Sequence, residues 1–346
     1  MKRLARALCL MLSLCLFLLG CSLPGRKTPM AEAADFRMDT WVTQCWYGDG
    51  AEMACDEISD ALQEMEKRFS LYLPDSEIAQ VNAAAGKEFV SVSEETYRLL
   101  FESAQICAES GGLFDITIAP LAQLWDVTGQ NPRVPTDREI AAALEKVNYQ
   151  NLLFDEENRS VMLAEEGMRL DLGGAAKGLA AERMRAVAEK NGVSGYLSIG
   201  GNMLVVGKEP DGNDFLIGLR DPRGEASDYF ATVAMDGYTM ATTGDYERFF
   251  EEDGVRYHHV FDPFTGYPSD GGLIAVTVLA EDGLLADCLS TAIFLQGKDN
   301  LDAALSRTDC MVLAVTDTFD VYASPGFWER LTPEKGTRYT FHVSKN

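Results

Sequence analysis

The hydrophobic positions of the chain follow two periods. From Ala51 to Phe69, the residues Ile58, Leu62, Met65 and Phe69 recur on one helical face with charges opposite, which predicts a surface helix. Ser91 followed by Glu94 is a capping-box pattern. It predicts a helix towards Ser110, with Tyr97, Leu100, Ala104 and Cys107 inward and Gly111-Gly112 ending it. Thr136 and Glu139 form a second such pair, ahead of a short helix ending near Lys146. Gly178 to Asn191 is alanine-rich, with Ala180, Met184, Val187 and Ala188 at helical spacing and Gly192 placed to stop it. Leu285 to Gln296 predicts a last long helix closed by Gly297.

The other segments are extended. Phe36 to Tyr47 reads as a first strand, and Tyr196 to Val206 alternates around Gly200-Gly201. Phe215 to Leu219 is followed by Asp221-Pro222-Arg223-Gly224, which suits a type I turn. Phe230 to Met235 and Tyr238 to Thr242 can pair as the next strands. Leu273 to Leu279, Val312 to Val315 and Phe319 to Ser324 complete the set. Strand runs adjoin one another and helices fall between groups of strands, so the pattern predicts an α+β fold with mainly antiparallel sheet.

Composition changes the picture at the amino terminus. Lys2, Arg3 and Arg6 precede an apolar run from Ala7 to Leu19, closed by Leu18-Leu19-Gly20-Cys21. That is an export signal, too short to span a membrane comfortably. The expected organisation is a signal over residues 1–20, a tether over 21–35 and one domain over 36–346. Losing the three basic residues takes the formal charge from -24 to -27. So acidic a protein is not expected to bind nucleic acid, which demands a basic surface. Of the eight cysteines, Cys45, Cys55, Cys107, Cys288 and Cys310 fall in the domain without C-x-x-C spacing. A zinc site is not expected, and pairing is left open.

Three stretches hold candidate chemistry. Asp171-Leu172-Gly173-Gly174-Ala175-Ala176-Lys177-Gly178 follows the extended run Val161-Met162-Leu163 and reads as acidic turn, glycines and helix start. Bare N–H groups there, with Lys177, suit a phosphate oxygen; a tight turn with a solvated lysine fits equally. Asp287, Ser290 and Thr291 stand at i, i+3 and i+4, which puts three oxygens on one helical face and suits Mg2+ better than Zn2+. Two of the three histidines are adjacent in Tyr257-His258-His259-Val260-Phe261-Asp262-Pro263. On an extended segment only one of them can face a given site, as a general base or as a structural donor.

The order of these pieces carries a resemblance. Met38-Asp39-Thr40, Tyr72-Leu73-Pro74-Asp75-Ser76, Leu113-Phe114-Asp115-Ile116-Thr117, the Asp171–Gly178 loop, Thr242-Thr243-Gly244-Asp245-Tyr246, His259-Val260-Phe261-Asp262-Pro263-Phe264-Thr265-Gly266 and Ala286-Asp287-Cys288-Leu289-Ser290-Thr291 occur in that sequence. Together they closely resemble the ApbE family of FAD:protein FMN transferases, and Leu18-Leu19-Gly20-Cys21 resembles a lipobox.

The resemblance implies an α+β fold with FAD, as substrate, in a cleft between two lobes beside Mg2+. It implies flavin contacts at Met38, Tyr72, Leu113, Phe114, Asp115, Asp171, Lys177 and Phe261. Metal ligands fall at Asp287, Ser290, Thr291 and the Gly174 carbonyl, with His259 as the base. The chain departs from some relatives in having Ala119 before Pro120 and a neutral Ser290. The implied reaction moves FMN from FAD to a threonine of an exported redox protein and releases AMP. The implied location is the outer face of the cell membrane, held by palmitate-type lipid on Cys21. An FAD pyrophosphatase and a non-catalytic FAD-binding lipoprotein are the alternatives. Asp236-Gly237-Tyr238-Thr239-Met240-Ala241-Thr242 also resembles the family's acceptor sequence, with Thr242 in the acceptor place, although the strand before the Thr-Thr-Gly turn is the preferred reading.

Overall fold

The computed structural model describes residues 28–344. The expected signal and Cys21 lie outside the described residues. Nine strands form the central sheet: β1 (Met30–Arg37), β2 (Thr40–Tyr47), β3 (Ser194–Ile199), β4 (Asn202–Val206), β5 (Thr239–Gly244), β6 (Leu273–Ala280), β7 (Met311–Thr316), β8 (Asp320–Ala323) and β9 (Thr340–Val343). Their order across the sheet is their order along the chain. Every neighbouring pair is antiparallel except the last, β8 with β9.

The segment Phe36 to Tyr47 is not one strand. It is cut by a two-residue hairpin turn at Met38 and Asp39, with φ of 51° and 58°. Such turns need both central residues in the left-handed region. Met38 N–H donates to Glu66 Oε1 at 3.0 Å, which pins the turn to the first helix, α1 (Ala51–Phe69). β1 also begins at Met30, inside the stretch expected to be a tether. Its inward residues, Ala31 and Ala33, are small, so composition did not mark it as core-packing.

Helices α1, α2 (Glu94–Glu109), α3 (Ala176–Lys190) and α4 (Gly283–Gln296) enclose the largest core cluster on one face of the sheet. A three-stranded sheet of Phe215–Arg220, Tyr229–Met235 and Leu331–Pro333 encloses a second cluster on the other face. Tyr229–Met235 therefore does not pair with β5, contrary to expectation. The turn at Asp236-Gly237, where Gly237 has φ of 93°, carries the chain from one layer to the next. All eight residues of β6 are buried, because both of its faces are covered. The helix expected to start at Ser91 is capped by Ser93, whose Oγ accepts from Thr96 N–H. At Thr136 the expected capping box is present.

α4 is apolar nearly all round, as a fully enclosed helix must be, yet Asp287 and Ser290 are among its buried residues. It reaches this position because α3 and α4 touch through glycines. A Cβ on Gly178 would come within 2.7 Å of Asp287 Cβ, and one on Gly283 within 2.5 Å of the Gly178 carbonyl oxygen. Gly178→Ala is therefore expected to push the helices apart and cost about 1–3 kcal/mol. Urea unfolding should show this as a lower midpoint, and an unchanged midpoint would contradict the close contact.

Candidate active site

Strand register brings three features to one end of the central sheet. They are the Met38-Asp39 turn, the Gly200-Gly201 turn between β3 and β4, and the Thr243-Gly244 end of β5. The start of α3 and the middle of α4 meet β5 there. Asp287 Oδ2 accepts from Gly178 N–H at 2.9 Å, and its Oδ1 lies 3.8 Å from Lys177 Nζ. Lys177 Nζ also donates to the Gly173 carbonyl. The helix starts at Ala176, so Lys177 sits on its first turn rather than in the loop.

The glycine loop differs from the bare row of donors that the sequence suggested. Gly173 N–H is spent on Asp171 Oδ1 at 2.8 Å, and the Ala175 and Ala176 N–H groups both go to the Leu172 carbonyl. These inward bonds hold the turn, and the opening lies at Gly174. A side chain there would begin 3.1 Å from Thr291 Oγ1 and 3.2 Å from the Phe114 ring, so glycine keeps the space in front of both residues clear.

On α4, Thr291 Oγ1 lies 3.0 Å from Thr243 Oγ1. Ser290 Oγ donates to the Asp287 carbonyl at 2.9 Å and lies 2.8 Å from the same Thr243 hydroxyl. Ser290 is thus committed both to its own helix and to β5, whereas Thr291 has the one bond to Thr243.

The two histidines divide their roles. His258 Nδ1 accepts from Val260 N–H at 3.2 Å and its Nε2 lies 2.8 Å from the Ser269 carbonyl, so both nitrogens are occupied. His259 Nδ1 lies 3.2 Å from the Arg248 carbonyl. A carbonyl only accepts, so this nitrogen carries the proton and Nε2 keeps a free lone pair. Burial first, then the Arg248, His258 and Lys177 charges, bring the His259 pKa down to about 4. The imidazole is therefore neutral at pH 7. The third histidine, His342, pairs with Asp320 at 2.8 Å on the far strands.

The remaining expected flavin contacts fall into two groups. Met38, Tyr72, Asp171 and Lys177 border the open end, and at the largely exposed Tyr72 partial desolvation, then the Asp39 and Asp171 charges, raises the phenol above its ordinary pKa. Leu113 is half-buried and Phe114 faces Gly174. Asp115 and Phe261 are different. Asp115 Oδ1 accepts from Thr117 N–H and Oγ1, and its Oδ2 from Tyr149 N–H, so the carboxylate builds the loop. The Phe261 ring is buried against Trp125 with centroids 5.8 Å apart, which leaves its side chain no free face for a ligand.

A family model described as the ApbE family matches residues 38–314. The chain belongs to the ApbE family. It is 32% identical over 284 residues to an FAD:protein FMN transferase of Klebsiella pneumoniae (strain 342), covering 82% of this chain and 88% of that one. To the FAD:protein FMN transferase of Treponema pallidum (strain Nichols) it is 32% identical over 266 residues, covering 73% and 74%. The crystal structure of the ApbE protein from Thermotoga maritima superposes with a TM-score of 0.82 at 34% identity, over 87% of this chain and 99% of that one. The flavin transferase ApbE from Vibrio cholerae gives 0.79 at 26% identity, over 88% and 99%. The mixed fold of helices and mostly antiparallel sheets is thus the fold of ApbE proteins.

In this ApbE chain the donors suit a hard cation. They are one buried carboxylate, the Thr291 hydroxyl and main-chain oxygen at a glycine that keeps the space open. Among the described residues no group of three or more His, Cys, Asp or Glu side chains could hold a metal, so the protein offers few charges of its own. Phosphate oxygens of a substrate would have to supply the rest. All five cysteines in the described span are buried and free, which answers the pairing question for those residues.

No specific role for Thr243 or Arg223 follows from the sequence, although Thr243 lies in a small-residue turn able to approach a ligand closely. Its neighbour Thr242 is turned to Thr277 at 3.0 Å between β5 and β6. That placement holds Thr242 inside the sheet and favours the plain-strand reading over an acceptor. Arg223 grips Asp245 through two bonds of 2.7 and 2.6 Å just past Gly244, a contact with no local sequence signal.

The His259 shift has a consequence for stability. Its folded pKa lies below the unfolded value of 6.5, so the stabilisation is present above pH 6.5 and is lost as pH falls towards 4. His259→Gln is expected to lose less stability than wild type between pH 7 and 4.5. Urea midpoints at both pH values check this, since His258 and the carboxylates are common to the two proteins. Parallel pH profiles would contradict the neutral, half-buried imidazole.

Proposed function

We propose that this chain transfers FMN from FAD to a threonine hydroxyl of an exported acceptor protein and releases AMP. The observation that carries the reading is the buried Asp287 carboxylate. It bonds Gly178 N–H and lies beside Lys177, one helical turn before the Thr291 that meets Gly174, in a chain whose relatives are FAD:protein FMN transferases. Asp287, Thr291 and the Gly174 carbonyl would hold Mg2+, which when bound supplies charge neutralisation at the phosphoryl oxygens. Lys177 adds a positive charge for the diphosphate, and Tyr72 and Met38 border the space for the flavin.

The acceptor oxygen forms a bond to the phosphorus on the flavin side while that phosphorus loses its bond to the bridging oxygen. AMP departs with the bridging oxygen. His259 Nε2 takes the hydroxyl proton, and the Arg248 carbonyl holds Nδ1–H so that the lone pair stays on Nε2. In phosphoryl transfer the protein contributes mainly position and electrostatics, so a weakly basic imidazole suffices.

The chain is proposed to work from the outer face of the cell membrane. The basic start, the apolar run and Leu18-Leu19-Gly20-Cys21 support lipid attachment at Cys21. No described helix is long and apolar enough to cross a membrane.

Incubation of the protein with FAD, Mg2+ and a flavin-acceptor domain should leave fluorescent flavin on the acceptor in a denaturing gel. Release of FMN and AMP without labelling would make the protein a pyrophosphatase instead, and unchanged FAD would make it a store. Asp287→Asn is expected to slow transfer about a hundredfold or more. His259→Gln should slow it by about 100- to 10,000-fold while FAD affinity is kept. Wild-type Mg2+-dependent turnover by Asp287→Asn would refute the assignment.

A further inference from the structure

We propose that the Lys177 ammonium is the resident counter-ion of Asp287 in the ion-free protein, so that a divalent cation and FAD bind as a mutually dependent pair. The inference rests on the functional reading above and adds an order to it. Asp287 is only 3% exposed. A carboxylate so enclosed needs a partner, because an unpaired buried charge is strongly destabilising. Gly178 N–H supplies a hydrogen bond but no formal charge. Among the described residues, Lys177 supplies the positive charge within ion-pair distance, at 3.8 Å from Oδ1.

The same ammonium donates to the Gly173 carbonyl. It therefore lies between a carboxylate oxygen and a main-chain oxygen of the glycine loop, beside the Gly174 opening. These are the oxygen types that a hard cation takes. The lysine is in effect placed where a cation is wanted.

A divalent ion arriving alone would meet Asp287 already neutralised and a like charge close by. The net charge of the cluster would rise from zero to two. Like charges in a partly buried site repel strongly, since little water screens them. A diphosphate changes the balance by bringing two negative charges. Lys177 then has a new partner, and its flexible stem, 21% exposed, lets the ammonium move to it and free Asp287 for the metal. Each ligand thus removes the obstacle to the other, and linkage makes the effect reciprocal.

The test is a Mn2+ titration of the purified full chain, reading free Mn2+ by its EPR signal with and without FAD, and checking by chromatography that the FAD stays intact. In wild type, FAD should tighten Mn2+ binding by about 5- to 150-fold. Lys177→Met should bind Mn2+ more tightly than wild type in the absence of FAD, by about fivefold or more, and FAD should then add little. Lys177→Gln keeps the test available if the methionine variant does not fold. Mn2+ binding by FAD-free Lys177→Met that is equal to or weaker than wild type would overturn the proposal, while flavin transfer by wild type would leave the functional reading intact. A wild type that binds neither FAD nor Mn2+ would overturn both.

Discussion

The close contact between α3 and α4 is the constraint on which the rest depends. Two glycines, Gly178 and Gly283, let the helix backbones touch, and only at that separation does Gly178 N–H reach Asp287 Oδ2 at 2.9 Å. Any side chain at either position would force the carboxylate away from the loop. The contact also explains how a helix apolar nearly all round tolerates an acid. The carboxylate is bonded to a backbone donor and paired with Lys177, which offsets a desolvation cost of several kcal/mol. A buried acid so arranged is poorly explained by stability alone, because an apolar residue of similar volume would serve α4 better.

The sheet fixes the other half of the geometry. Because neighbouring strands follow chain order, the turns at Met38-Asp39 and Gly200-Gly201 and the end of β5 fall together at one end. β5 is tied to α4 by Thr243, which bonds both Ser290 and Thr291, and its exit is held by the Arg223–Asp245 pair. Thr243 therefore sets the position of Thr291 from the sheet, while Gly178 sets that of Asp287 from α3. The two proposed ligands on one helix are thus registered against two different layers.

Local signals in the chain were legible where a single segment decides the outcome. The α1 span from Ala51 to Phe69, the capping box at Thr136 and the stop at Gly297 all follow from residues within a few positions of each other. What was illegible depends on distant partners. β1 is marked only by alanines that fit beneath a helix elsewhere in the chain, so its composition looks like a tether. Tyr229–Met235 looks like a natural partner for β5, but its apolar side is claimed by Leu331–Pro333 and the second core. At the site, the motif order pointed to Asp287, Lys177 and His259, whereas the sequence could not show that the Asp115 carboxylate turns to its own loop and the Phe261 ring to Trp125.

The histidine pair shows why adjacency in sequence does not imply shared chemistry. His258 spends both nitrogens on Val260 N–H and the Ser269 carbonyl, which fixes the chain at the end of the short strand Val255–His258. That anchoring sets the direction of the next residue, so His259 meets the Arg248 carbonyl through one nitrogen and leaves the other free. Arg248 in turn reaches the Asp39 carbonyl of the β1–β2 turn at 3.4 Å. A change at the turn can therefore shift the ring through Arg248 without touching either histidine. Holding Met38 and Asp39 at positive φ costs about 1–2 kcal/mol per residue, which the Glu66 and Arg248 contacts to the turn help to offset.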